Sequence, residues 1–67
     1  MLIKKSITIK KHRTSLLLEK EFWEALEIIS KEKQSSIEGL ISKIDHARES
    51  SLASSIRVFI LQYFRNN

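Results

Sequence analysis

HRTSLLLE, residues 12–19, alternates polar and apolar side chains, and its reading decides the fold. A period of two is the mark of a half-buried strand, here 12–18. Thr14, Leu16 and Leu18 fall on one side, Arg13, Ser15 and Leu17 on the other. A lone strand leaves main-chain amides and carbonyls unpaired along both edges, which folded proteins rarely tolerate. The strand needs a neighbour.

Upstream, Ile3, Ile7 and Ile9 alternate with lysine, serine and threonine. Residues 1–11 read as a basic arm, with 6–10 extended or forming a short strand. Lys10–Lys11 separates this arm from the strand without a Gly or Asn turn signal, so no tight hairpin is expected. Downstream the period changes to helical. Phe22, Leu26 and Ile29 recur along a first helix, 20–33, with glutamates in its early turns and Lys31 and Lys33 at its end, as the helix dipole favours. Of the adjacent Phe22 and Trp23, one should enter the monomer core and the other a dimer interface. Gln34–Ser35–Ser36 breaks the pattern, and Ser35 with Glu38 fits a capping box. A second helix, 35–46, carries Ile37, Leu40, Ile41 and Ile44 on one face, and Gly39 within it suggests close approach of another backbone. After Arg48–Ser51 a third helix, 51–65, shows Leu52, Ile56, Phe59, Ile60 and Tyr63. The absence of proline and the single glycine fit long helices and few turns.

Sixty-seven residues form one small domain whose core is marginal. Small folds compensate with disulfides, a metal or a partner chain. No cysteine is present and only His12 and His46 offer imidazoles, so neither a disulfide nor a structural zinc is expected, and oligomerisation remains. The simplest remedy for the unpaired strand is the same strand of a second chain about a two-fold axis. The expected fold is mainly α, with one N-terminal strand pairing across an intertwined homodimer. Thr14, Leu16 and Leu18, with Ile37 and Ile41 of the second helix, are the expected dimer interface.

The net charge is +4, and residues 1–15 hold Lys4, Lys5, Lys10, Lys11 and Arg13 with no acid. Such a patch suits a polyanion such as nucleic acid; a solubilising tail is the plain alternative. No apolar run reaches membrane-spanning length, and Ile7–Thr8–Ile9 before two lysines is no signal-peptide core. A soluble cytoplasmic protein is expected. His12 reads as a phosphate or structural hydrogen-bond partner. His46 reads as a helix-end cation, and Asp45 with Arg48 as an ion pair. Arg57 reads as a surface or ion-paired residue. No serine has an acid–base partner arranged for it, so enzymatic function has no support, and no cofactor is expected.

HRTSLLLE…FWEAL, then LISKID…AR, then LASSIRVFIL resemble the ribbon-helix-helix superfamily of MetJ- and Arc-like repressors. More narrowly, they resemble the bacterial ribbon-helix-helix domain proteins with an additional C-terminal helix. The resemblance implies a homodimeric, sequence-specific binder of double-stranded DNA, a transcriptional regulator whose two-stranded ribbon enters the major groove. It implies base readout by Arg13, Ser15 and Leu17, although a polar residue is usual at the position of Leu17. It also implies a phosphate clamp at Ser35 and Ser36, where the second helix begins. The lysines 4, 5, 10 and 11 would supply backbone attraction. The alternative is an antitoxin-like or other protein-interaction module that uses the dimer and the third helix.

Overall fold

The computed structural model describes residues 1–66. Two strands, β1 (Leu2–Ile9) and β2 (His12–Glu19), form an antiparallel ribbon. Three helices follow: α1 (Lys20–Glu32), α2 (Ile37–Ala47) and α3 (Leu52–Arg65). Ribbon, two helices and an additional third helix is the expected mainly-α architecture.

The neighbour of β2, however, belongs to the same chain. β1 pairs with β2 over its whole length, from Leu2 opposite Glu19 to Ile9 opposite His12. The basic arm is therefore a full strand, and the tight hairpin that the sequence did not signal is present. Its two-residue turn is Lys10–Lys11, with φ of 51° and 68°. Hairpin turns of this length need φ above zero at both central positions, hence the usual Asn-Gly. A lysine held there costs roughly 1–2 kcal/mol. Burial of the ribbon's inner face offsets this cost. Ile7, Ile9, Leu16 and Leu18 all enter the core, at roughly 1.5–3 kcal/mol for each fully buried side chain. With β1 in place, β2 does not require a second copy to satisfy its inner edge.

α1 ends where Gln34 turns into the left-handed region at φ 53°. The Ser35 amide donates to Ser30 O at 2.9 Å and the Gln34 amide to Lys31 O at 3.2 Å. This is the Schellman pattern, with glutamine in the position that glycine normally fills. α2 starts differently from the expected capping box. Ser36 is the N-cap, its Oγ accepting the Gly39 amide at 2.9 Å, and Glu38 reaches elsewhere. Gly39 faces the two serines and not another backbone: a β-carbon there would lie 3.0 Å from Ser36 Oγ and 3.3 Å from Ser35 Oγ.

The core lies between the ribbon's inner face and the three helices, with Leu26, Ile29, Ile41 and Ile56 fully buried. Trp23 is the aromatic that enters it, and its Nε1 donates to Ile3 O at 2.9 Å, tying α1 to β1. Phe22 is half-buried, with the Arg57 guanidinium 5.8 Å from its ring centre.

Candidate nucleic-acid interface

The ribbon has one face against the helices and one toward solvent. Strand alternation and the observed register put Lys4, Ser6 and Thr8 of β1 on the outer face beside Leu17, Ser15 and Arg13 of β2, paired in that order. Five of these six are exposed and Thr8 is half-buried. Arg13 and Lys4 stand at opposite corners of the surface, with hydroxyls between them. Leu17 lies opposite Lys4 and is 49% exposed.

The six candidate backbone-contact residues divide into separate groups. Lys4 is on the outer face. Lys5 has the opposite parity, and its Nζ lies 5.0 Å from the Trp23 ring centre, on the helix side. Lys10 and Lys11 form the exposed tip of the hairpin. Ser35 and Ser36 sit at the start of α2, where free amides and the helix dipole favour an anion. Ser36 Oγ is occupied by its capping bond, and Ser35 Oγ donates to Ser36 O at 3.3 Å.

One contact joins the start of α2 to the ribbon. The Thr8 amide donates to Glu38 Oε2 at 2.8 Å, across thirty residues of sequence. Thr8 is opposite Arg13, so β1 alone separates the first turn of α2 from the strand that carries Arg13. Ser6, Thr8 and Glu38 are the residues that sequence reasoning missed. The alternation of Ile3, Ile7 and Ile9 shows in the sequence, but without a turn signal it does not give a register against β2.

Among the residues expected at a dimer interface, Leu16, Leu18 and Ile41 are 5%, 0% and 0% exposed within this chain. They serve its own core, so they offer no surface to a second copy. Ile37 is half-buried, and Thr14 is exposed although it shares the parity of Leu16 and Leu18. Arg57 is ion-paired: its Nε and one terminal nitrogen lie 3.0 and 2.9 Å from Glu19 Oε1. A hydrogen bond from its own backbone amide and the Arg57 guanidinium hold the Glu19 carboxyl below its ordinary range. This pair pins the ribbon–α1 junction to α3. The Tyr63 hydroxyl donates to Glu32 at the other end of α1, and this bond together with burial raises the phenol. Arg48 pairs with Asp45 at 2.7 Å. His12 and His46 are both exposed. Among the described residues no three His, Cys, Asp or Glu side chains gather as metal ligands, and no helix is long and apolar enough to cross a membrane.

No curated protein and no solved structure gives a significant match to the chain. The ribbon-helix-helix domain model matches residues 2–64, nearly the whole length. With the ribbon, the two helices after it and this match in hand, the chain belongs to the ribbon-helix-helix domain family, whose members generally bind DNA as transcription regulators or antitoxins.

Proposed function

We propose that this chain is a sequence-specific double-stranded DNA-binding protein, acting as a repressor-like transcription regulator in the bacterial cytoplasm. The observation that carries this reading is the ribbon's outer face, solvent-exposed and bearing Arg13, Ser15, Lys4 and Ser6. A two-stranded ribbon fits the major groove, where each base pair presents a distinct donor and acceptor pattern. Arg13 is suited to guanine, its two nitrogens meeting O6 and N7. Ser15 can donate or accept. Leu17 contributes an apolar contact for a thymine methyl group and packs beside the stem of Lys4. The tip lysines and the serines at the start of α2 meet phosphates on either side.

The DNA-binding species is a homodimer. Thr8 gives its amide to Glu38 and not to β2, so the Thr8–Arg13 pair is a non-hydrogen-bonded one. By alternation, Arg13, Ser15 and Leu17 then point their amides and carbonyls to the open edge of β2. That edge accepts the same strand of a second copy in antiparallel register. Lys4, Ser6 and Thr8 then flank a central β2 pair, and this pair of β2 strands is the two-stranded ribbon that the groove admits. The accessible surface supports association: it is 4856 Å², against about 4,400 Å² for a compact monomer of this mass.

Selection of bound sequences from random duplex DNA tests the reading. A defined site should emerge, and its affinity should fall by roughly 0.9 log units per decade of salt for each phosphate neutralised. Arg13→Ala should cost about 1–3 kcal/mol and relax preference at one base position per half-site. No binding to any duplex at low salt would sink the proposal. A second reading, an antitoxin-like module with a protein partner on α3, is favoured by one observation. Val58, Leu61 and Phe64 are each about half-exposed on that helix, around a hollow that includes Phe22 and Ile60.

A further inference from the structure

We propose that Glu38 is a positioning residue for DNA recognition, a clamp that sets the start of α2 against the ribbon by holding the Thr8 amide. The inference rests on the DNA-binding reading, because it concerns the two elements that reading assigns to DNA. Base readout by the ribbon and phosphate contact by the start of α2 must happen together on a rigid duplex, so their relative placement matters. An ångström of misplacement at a recognition surface weakens every contact made at once.

Three observations converge on Glu38. It sits in the first turn of α2, two residues after the N-cap Ser36. Its Oε2 accepts a β1 amide that the ladder leaves unpaired, at 2.8 Å. Among the described residues, this is the one hydrogen bond that joins α2 to the ribbon. Glu38 is also exposed, so its carboxylate lies beside the surface that would face phosphates. Electrostatics alone disfavours an acid there. A carboxylate at that spot makes sense when it is already engaged. An amide bond to a charged acceptor is among the stronger ones.

The sign of the mutational effect separates the clamp from simple charge. Removing a negative charge near DNA should tighten binding in Glu38→Ala and Glu38→Gln alike. The clamp predicts otherwise. Glu38→Ala should weaken binding to the selected duplex about tenfold, the equivalent of one charge-assisted hydrogen bond. Its salt slope should stay unchanged, since no phosphate contact is deleted. Glu38→Gln keeps an oxygen acceptor and should bind at least as tightly as the native chain. Thr8→Pro removes the donor, at a strand position whose amide points away from β2 and where proline is tolerated, and Thr8→Ala, which keeps the amide, controls for the lost hydroxyl. Thr8→Pro should match Glu38→Ala, and the double variant should be no weaker than either single one. Hydrogen exchange of the Thr8 amide in free protein should quicken about tenfold in Glu38→Ala.

If the native chain binds duplex and Glu38→Ala binds equally or more tightly, the clamp is overturned and the DNA-binding reading stands. If the native chain binds no duplex, the reading falls and the positioning role falls with it. The slow Thr8 amide then identifies that failure as one of function and not of the contact. Equal weakening by Glu38→Ala and Glu38→Gln also overturns the proposal.

Discussion

The two edges of the ribbon carry the same kind of main-chain groups and are treated in opposite ways. The β1 edge is held by α2 at one point. Glu38 occupies the Thr8 amide, one of the main-chain groups that β1 turns away from β2. The β2 edge beside Arg13, Ser15 and Leu17 is open by strand alternation, with all three side chains exposed. Unpaired edges template strand addition, and proteins that must stay finite protect them. An edge tied to α2 is less available for strand addition than the free β2 edge. Under the proposed homodimer, pairing of two β2 edges gives a closed pair and not a growing sheet.

Neighbouring proline substitutions break the comparison most sharply. Leu16→Pro should remove an amide that points to β1 and disturb a side chain that is 5% exposed. The chain should lose 3 kcal/mol or more, and unfold, as read by circular dichroism. Ser15→Pro touches only the open edge. It should leave the hairpin folded, with proton chemical shifts of β1 retained, and leave the protein monomeric by light scattering at micromolar concentration. A Ser15→Pro chain that still dimerises would move the interface away from β2. Where α1 is tied to β1, Trp23→Phe removes the donor to Ile3 O but keeps most of the ring, and should cost about 1 kcal/mol in urea denaturation.

The turn that connects the edges should respond in the other direction. Replacing Lys10–Lys11 with Asn-Gly relieves two left-handed lysines and should stabilise the fold by about 1–2 kcal/mol. It should also weaken DNA binding at low salt if the tip meets phosphates. The smallest effect concerns acid. The folded Glu19 carboxyl is held below its ordinary value of 4.5. Its contribution is therefore present above the unfolded value and lost as pH falls through the lower folded one. Removing the guanidinium with Arg57→Met should flatten that part of the stability–pH profile.

Elements with a strong period were legible in the chain, and those set by backbone conformation were not. Phe22, Leu26 and Ile29 announce α1, and the alternation of Thr14, Leu16 and Leu18 announces β2. The hairpin was hidden because its turn uses two lysines at positive φ, where the usual signal is Asn-Gly. A strand that lacked a visible partner then pointed to a second chain. The same gap concealed Ser6 and Thr8, which join the outer face only once the register is known. Glu38 was misassigned for a different reason. Its spacing from Ser35 suits a local cap, and nothing local shows that an amide thirty residues away competes for it.

That the ribbon is folded from one chain has a kinetic consequence. A ribbon shared between two chains exists only while they are together, and forms at a rate that depends on their concentration. Residues 2–19 of a single chain close through a two-residue loop, in a first-order step dominated by local contacts. A chain on its own therefore keeps an intact ribbon, with the outer face proposed to read a half-site. On the proposed function, two such chains would meet on the duplex in succession, with DNA itself as the meeting place.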